Sequence, residues 1–93
     1  MIRNYAEKWS WMDDNGKTTI GLSIPKGAKR AQRVPFFIKY ITKEGNVEQG
    51  QVITLSVDTH KLQRKIQFVQ SNEIRIARDY LIVQIDKVRF ITH

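Results

Sequence analysis

The amino-acid sequence predicts an all-β fold, and three observations support that prediction. Apolar and polar residues alternate with a period of two along most of the chain. β-Branched residues are frequent in the same stretches, and turn-forming residues recur between them. Successive side chains of a strand point to opposite faces, so a period of two is typical of half-buried strands. We therefore expect about eight short strands with brief connections.

Length and composition limit the architecture. The chain has 93 residues and no cysteine. We expect a single domain over residues 1–93 with a small core and no disulfide or thiolate metal site. No apolar run approaches the roughly 18 residues of a membrane helix, and the first residues lack the apolar centre of a signal peptide. These features predict a cytoplasmic protein that does not enter a membrane.

The first predicted element is an N-terminal hairpin over residues 5–24. Asp13-Asp14-Asn15-Gly16 is a strong turn signal, because asparagine and glycine tolerate the backbone angles that tight hairpins require. Trp9 and Trp11 share one face of the strand before this turn. In the strand after it, the expected apolar face holds Ile20, Leu22 and Ile24.

A basic segment over residues 25–35 follows the hairpin. Pro25 and Pro35 flank it, and proline cannot donate a hydrogen bond to a sheet. We therefore expect a loop that lies outside the sheets, with one helical turn as an option for its AKRAQR part.

Residues 36–92 contain the remaining predicted strands. Gly50 interrupts a long strand, where it is expected to mark a bulge or bend. Inward-facing positions are expected at Ile53, Leu55 and Val57, and then at Ile66 and Phe68. Predicted turns fall at 43–46, 70–73 and 86–87, and the predicted strands cover 36–42, 47–57, 64–70, 74–76, 81–85 and 88–90.

The number and size of these strands predict a small barrel. About five or six short strands with brief connections are typical of SH3-like and OB-like barrels. Closure of a barrel removes exposed sheet edges, which apolar strands otherwise leave open to aggregation. The N-terminal hairpin is expected to pack against the barrel or to extend its sheet.

Residues suited to catalysis are sparse. A nucleophile needs a neighbouring base, and the only histidines are His60, in a polar loop, and His93, the last residue. The Asp13-Asp14 pair lies in a predicted turn, where aspartate commonly bonds its own backbone. No glycine-rich phosphate loop is present. We expect no enzymatic activity, no metal or cofactor and no small-molecule substrate.

Charge clustering suggests the first functional hypothesis, which is binding to nucleic acid. The net charge is +7; residues 26–43 hold six cations and no acid, and residues 61–78 hold five cations and one acid. Phosphate contacts by such clusters give binding of low sequence specificity. Lys65 and Arg75 are expected to share one basic sheet face, and Tyr80 to be an exposed platform for a base. The full candidate set is Lys26, Lys29, Arg30, Arg33, Lys65, Arg75, Arg78 and Tyr80.

The alternative hypothesis is a structural or adaptor protein that binds other proteins or itself. Strands 36–42 and 81–85 are apolar on both faces. A small barrel cannot cover every such face, and exposed apolar patches are typical of contact surfaces. Some of the residues Phe37, Ile41, Ile82 and Ile91 are expected to remain exposed. The acidic stretch from Glu44 to Asp58 is a second candidate, as a contact for the basic segment of another copy.

Overall fold

The structure is a computed structural model that describes residues 2–90. The chain forms two compact units, one ending at Val34 and the other beginning at Pro35. The first unit contains helix α1 (Ile2–Ala6) and strands β1 (Trp9–Met12), β2 (Thr18–Gly21) and β3 (Lys29–Arg33). Its three strands form an antiparallel sheet in the order β2-β1-β3. The mostly-β prediction is confirmed, whereas the expected start of the hairpin at Tyr5 is wrong, because Tyr5 and Ala6 belong to α1 and β1 begins at Trp9.

The hairpin turn between β1 and β2 is confirmed, and Asp13 holds it closed. One oxygen of the Asp13 carboxylate accepts the backbone N–H groups of Asn15 and Lys17, both at 2.9 Å. The Gly16 N–H donates to the Asp13 carbonyl at 3.0 Å. The aspartate therefore has the turn-forming role that the sequence predicts.

The apolar face of the hairpin differs from the expected one. Residues opposite each other on antiparallel strands share a face, and Trp11 lies opposite Thr19 while Trp9 lies opposite Gly21. Ile20 therefore points away from the tryptophans, and it is 59% exposed. A Cβ atom added at Gly21 would lie 2.9 Å from the Trp11 ring, so the ring fits because glycine has no side chain. Thr19 and Gly21 form no apolar pattern in the sequence, so the sequence did not indicate that this face packs against the tryptophans. The absent side chain of Gly21 nevertheless provides the space for the Trp11 ring.

The expected loop over residues 25–35 is wrong for its second half. Pro25 and Gly27 form a turn, in which the Ala28 N–H donates to the Pro25 carbonyl at 3.2 Å. The chain then enters β3, which pairs with β1 and has a register shift between Ser10 and Met12. Arg30 has a φ of 54°, a left-handed value that is uncommon for a residue with a side chain. The two prolines lie outside β3, so they leave its hydrogen bonds intact.

The second unit contains six strands in one antiparallel sheet, with the order β7-β6-β5-β4-β8-β9. A single 3-10 turn over Asp79–Leu81 separates β7 from β8. Strands β4 to β7 follow one another as hairpins, and the chain then returns so that β8 pairs with the far side of β4. The strand bounds are β4 (Phe36–Ile41), β5 (Val47–Asp58), β6 (Gln63–Phe68), β7 (Ile74–Arg78), β8 (Ile82–Ile85) and β9 (Val88–Arg89).

The core of this unit is built on the inward face of β4. Phe36, Ile38 and Tyr40 alternate along that face and are all buried. Strands β5 and β8 flank β4, so this face receives side chains from both neighbours. The buried residues contributed by the flanking strands and by β6 and β7 are Val52, Thr54, Ile66, Ala77, Ile82 and Ile85.

Strand β5 is long and irregular, as the glycine within it predicts. Gly50 lies opposite Ile38 with a φ of 154°. A Cβ atom at Gly50 would lie 3.1 Å from the Phe68 ring, which therefore packs over the bare backbone. The register shifts again between Thr54 and Ser56. The expected inward set is wrong at Ile53, which lies opposite Gln67, and at Leu55, which is exposed, because Val52 and Thr54 occupy the buried positions.

Other expectations for the unit have mixed outcomes. The turns at 43–46 and 86–87 are confirmed, and the buried Ile66 with the exposed Lys65 confirms the assignment of β6. Of the four residues among which some were expected to be exposed, Ile82 is fully buried, and Phe37 and Ile41 are half-buried. Ile91 and the end of the predicted barrel lie outside the described residues. Among the described strands, β7 and β9 are the ends of the sheet order, and no pairing joins them.

A buried ion pair links β6 to the 3-10 turn. The Arg64 side chain is 3% exposed, and its Nε donates to Oδ1 of Asp79 at 3.0 Å. A second guanidinium nitrogen donates to Oδ2 of Asp79 at 3.4 Å, so the carboxylate is held at both oxygens. The Asp79 N–H also donates to the Leu62 carbonyl at 2.8 Å. Asp79 therefore fixes the point at which the chain leaves β7 and turns toward β8.

We expect Gly50→Ala to lower the free energy of unfolding by about 1–3 kcal/mol, because overpacking and an unfavourable φ both oppose the new methyl group. The contact is with the Phe68 ring, and the strand backbone limits how far it can move. Chemical denaturation followed by circular dichroism measures the change. Gln51→Ala, at the exposed neighbouring position, is the control and should change stability by less than about 0.5 kcal/mol. Equal stability of both variants would contradict the packing role of Gly50.

Candidate functional site

The exposed cations of the first unit lie on and beside β3. Lys29 and Arg30 belong to that strand, and Lys26 belongs to the turn that precedes it; all three are exposed. Strand β3 is an edge of its sheet, since it pairs with β1 on one side and is last in the order. Among residues 2–90, no recorded ion pair involves Lys26, Lys29 or Arg30. An ordered edge strand therefore presents these charges to solvent.

Arg33, the fourth cation of this segment, has an internal structural role. Its guanidinium carbon lies 4.0 Å from the centroid of the Trp9 ring, a cation–π distance. One guanidinium nitrogen also donates to the Glu7 carbonyl at 3.0 Å. Arg33 lies opposite Trp9 in the β1–β3 ladder, so the stacking follows from the register. The arginine thus ties β3 to β1 and is less available to an anionic ligand than its three neighbours.

The expected basic face made of Lys65 and Arg75 is wrong. In the β6–β7 ladder Lys65 lies opposite Ile76, whereas Arg75 lies opposite Ile66. Lys65 and Arg75 are therefore on opposite faces of the sheet. Arg78 lies opposite Gln63, two residues from Lys65 along β6, so Lys65 and Arg78 share the outward face. The error arose because the sequence does not state which residues of a hairpin lie opposite each other.

Arg75 belongs to a polar network on the inward face of the sheet. Its Nε lies 4.0 Å from Oε1 of Glu48, and another of its nitrogens pairs with the Glu73 carboxylate. The Tyr40 hydroxyl donates to the same Glu48 oxygen. The network therefore connects β4, β5 and β7, and it engages Arg75 with two carboxylates. Sequence reasoning assigned this arginine to a ligand because one of its partners, Glu48, lies on another strand.

Burial is the main reason that the pKa of Tyr40 is raised above its ordinary value of 10.0. The hydrogen bond to Glu48 and the negative charge of that residue act in the same direction, and Arg75 acts against them. Burial removes the phenolate from water and the Glu48 carboxylate repels it, and together these outweigh the attraction of Arg75, so the phenol is harder to ionise. Tyr40 is therefore a neutral donor in this network and not a platform for a base.

The aromatic side chains divide clearly between core and surface. Tyr80, in the 3-10 turn, is 63% exposed, as expected for a base platform. Trp11 and Tyr40 are buried, and Trp9 is half-buried beneath Arg33. Tyr80 is therefore the one aromatic candidate of the second unit with a largely open ring among those that the sequence singled out.

The polar loop around His60 has a local structural role. The Asp58 carboxylate accepts the backbone N–H groups of His60 and Lys61, both at 3.1 Å. This aspartate forms the bend and is not positioned to orient the His60 ring through those bonds. No group of three or more His, Cys, Asp or Glu side chains within residues 2–90 is arranged to hold a metal ion. His93 lies outside the described part of the chain.

Two surface features were not found from the sequence. The first is the free edge of β7, where Ile74 and Ile76 are exposed. The second is a groove of about 330 Å³ beside that edge, with Lys43, Glu44, Ile76 and Arg78 in its lining. The alternation of Ile74 and Ile76 was visible, but the sequence interpretation placed both residues in the core.

Comparisons with models of protein families, with curated proteins and with solved structures gave no significant match to this chain. Within residues 2–90, no helix has the length and apolar character needed to cross a membrane.

We expect the stability of the protein to fall above about pH 10, where tyrosine ionises in the unfolded chain. The folded-state pKa of Tyr40 is raised, so the folded chain keeps its proton and unfolding releases it. Stability is full below the unfolded pKa and falls by about 1.4 kcal/mol per pH unit for each proton released. Denaturation curves between neutral and alkaline pH measure this slope.

Two variants identify the residue responsible for this slope. Tyr40→Phe removes the titrating group and should flatten the alkaline decline. Tyr80→Phe is the control, because its ring is exposed, and should retain the wild-type slope. The same decline in Tyr40→Phe as in the wild type would assign the effect to other groups.

Proposed function

We propose that this chain is a non-enzymatic module that binds nucleic acid through phosphate contacts of low sequence specificity. The observation that carries the proposal is the edge strand β3, which holds Lys29 and Arg30 exposed, with Lys26 in the adjoining turn. Lysine and arginine side chains without acidic partners are available to neutralise phosphates and to release their counterions. An ordered strand also lowers the entropy lost when these side chains bind.

The second unit supports the same proposal with fewer groups. Lys65 and Arg78 share the outward face of the β6–β7 hairpin, and Tyr80 follows in the 3-10 turn. An exposed ring near cations suits single-stranded nucleic acid, because every base has a face that stacks. Arg75 has no place in this set, since it is engaged with Glu48 and Glu73.

We infer, in addition, that the second unit is an SH3-like barrel. The return of β8 to β4 after a hairpin series, with a 3-10 turn before β8, supports this inference. The long, bent β5 also supports it, because a strand must bend to serve both halves of a small barrel.

Methyl contacts measured by NMR test the barrel. Ile66 in β6 and Ile82 in β8 are both fully buried, and three strand intervals separate β6 from β8 in the sheet order. In a flat sheet these strands would be about 14 Å apart. A closed barrel should bring the two side chains into the same interior and give a direct nuclear Overhauser effect between their methyl groups. Its absence, with other core contacts present, would favour an open sheet.

Fluorescence anisotropy tests the binding proposal. Labelled single-stranded and duplex DNA and RNA are titrated with the protein at several salt concentrations. The test variant is Lys26→Ala/Lys29→Ala/Arg30→Ala, and the control is Lys17→Ala/Lys61→Ala/Lys87→Ala. The two variants lose the same formal charge, and all six positions are exposed.

We expect affinity to fall with salt and the slope of log K against log salt to decrease in magnitude by about 2–3 in the test variant, since each lost phosphate contact contributes about 0.7–0.9. The control should change the slope by less than about 1, because its cations lie outside the β3 segment. Absence of binding at moderate salt would contradict the proposal. Equal slopes for the two variants would show that only total charge matters.

A further inference from the structure

A cavity of about 430 Å³ lies on the outward face of strands β5, β6 and β7. Its floor consists of residues that lie opposite one another across these strands. Ser56 lies opposite Lys65, which in turn lies opposite Ile76, and the next row begins with Asp58 opposite Gln63. Cross-strand partners share a face, and so do positions two apart along a strand. The five side chains therefore belong to one surface.

The loop that joins β5 to β6 forms one wall of the cavity, through Thr59 and His60. Asp58 shapes this loop, because its Oδ1 accepts the backbone N–H groups of His60 and Lys61, both at 3.1 Å. Its second oxygen, Oδ2, accepts no hydrogen bond from any residue between 2 and 90. The bend thus fixes Asp58 in the lining and leaves one carboxylate oxygen available to a ligand.

Neutral polar groups and an apolar side chain make up much of the remaining lining. The Ser56 and Thr59 hydroxyls and the Gln63 amide can each donate and accept hydrogen bonds. Ile76 is 41% exposed and provides an apolar surface among them. Nucleic-acid bases require this combination, because their faces stack on flat or apolar groups while their edges carry donors and acceptors.

The charged groups of the cavity are separated across the strands. Asp58 on β5 and Lys65 on β6 are diagonal neighbours in the ladder, about 7–8 Å apart. The His60 imidazole is the remaining titratable group of the lining. Arg78 adjoins Gln63 on β7, but it shares a different groove with Glu44, so Lys65 is the principal cation here. A ligand with hydrogen-bond donors at one end and an anionic group at the other matches this arrangement.

A nucleotide has this form, with the base toward Asp58 and the phosphate toward Lys65. Carboxylates accept hydrogen bonds from the exocyclic amino group of a base such as cytosine. A keto oxygen at the same ring position would place two acceptors against each other and leave Asp58 without a donor, which costs binding free energy. The cavity volume lies within the range of small-ligand sites, about 300–1,000 Å³.

The cavity also adjoins groups that the proposed function already uses. Lys65 is one of them. The Asp79 N–H donates to the Leu62 carbonyl at 2.8 Å, which attaches the 3-10 turn to the loop beside the cavity. Tyr80 is the next residue of that turn, and it is 63% exposed. A base in the cavity would therefore have an open ring nearby on which a neighbouring base of the same strand stacks.

We propose that this cavity holds one nucleotide of a single-stranded nucleic acid and prefers a base with an exocyclic amino group. Asp58 accepts from the amino group, Ser56, Thr59 and Gln63 bond other groups on the base edge, and Lys65 contacts the phosphate. The inference rests on the proposed nucleic-acid function. It adds a base preference at one position to phosphate contacts that carry none.

Cytidine monophosphate and uridine monophosphate test the cavity directly. They differ only in the amino or keto group at one ring position and in the proton on the adjacent ring nitrogen. In the isotope-labelled wild-type protein, cytidine monophosphate should shift the amide NMR signals of Asp58, Gln63 and Lys65 saturably at millimolar concentration. Uridine monophosphate should bind at least about fivefold more weakly. Ribose phosphate, which lacks the base, should bind more weakly than either.

The Asp58→Asn variant tests the residue that reads the base. Its Oδ1 still accepts the loop N–H groups, whereas Nδ2 replaces Oδ2 and donates, which suits a keto oxygen. Fluorescence anisotropy compares octamers of cytidine and of uridine, which carry the same phosphates. The wild type should favour cytidine at least about fivefold, and the variant should favour uridine. Asp14→Asn, the same change at an exposed position of the first unit, should keep the wild-type ratio.

The Lys26→Ala/Lys29→Ala/Arg30→Ala variant separates the cavity from the phosphate contacts of β3. It should weaken binding of both octamers and keep the ratio of their affinities. The cytidine octamer should bind the wild type at least about tenfold more tightly than the monophosphate, because neighbouring phosphates contribute.

Three results would overturn the inference, and they differ in what they leave standing. Equal affinities for cytidine and uridine, both as octamers and as monophosphates, would exclude the base preference and leave the phosphate-binding function intact. A cytidine preference that persists in Asp58→Asn would exclude Asp58 as the reading group. No octamer binding at moderate salt, with selective binding of cytidine monophosphate, would contradict the nucleic-acid function and identify a free nucleotide as the ligand.

Discussion

Strand β4 is the element around which the second unit is organised. It is hydrogen-bonded to a neighbouring strand along both edges, and one of its faces is buried along its whole length. Strand β5 lies on one side and β8 on the other, and Phe36, Ile38 and Tyr40 all point inward. On β5, Val52 and Gly50 lie opposite Phe36 and Ile38, whereas Glu48 lies opposite Tyr40 and accepts its hydroxyl hydrogen bond. Asp86 extends the same pairing, since its carboxylate accepts the Phe37 N–H at 3.0 Å while its own N–H donates to the Phe37 carbonyl at 2.9 Å.

Two groups of cations in this protein have different physical roles. Arg33, Arg64 and Arg75 hold the fold together through a tryptophan ring, a buried carboxylate and a pair of glutamates. Lys26, Lys29 and Arg30 lie in solvent and form no ion pair with any residue between 2 and 90. Arginine suits the internal role, because its planar group forms two directed bonds and stacks on aromatic rings.

Local signals in the sequence predicted most of the strands and turns of this fold. The features at Asp13–Gly16, Gly50 and Asp86-Lys87 depend on backbone angles and hydrogen bonds within a few residues of the chain. The sequence alone was therefore enough to predict them. The wrong predictions concern features that depend on how one strand pairs with another. The strand character of residues 29–33 depends on pairing with β1, and the opposite faces of Lys65 and Arg75 depend on the β6–β7 register. Of the candidate site, the exposure of Lys26, Lys29, Arg30 and Tyr80 was predictable, whereas the internal partners of Arg33 and Arg75 were not.

The return of β8 to β4 has a consequence for the order in which the chain is synthesised. A ribosome makes β4 through β7 in the order in which they are neighbours in the sheet, so each strand can pair as it emerges. Strand β8, which pairs with the second edge of β4, is made only after all four. Until Ile82 and Ile85 have left the ribosome, one edge of the most apolar strand stays open, and such an edge is where nascent chains aggregate. The ion pair between Arg64 and Asp79 fixes the start of the turn that leads into β8, so that β8 begins from a defined position beside the sheet.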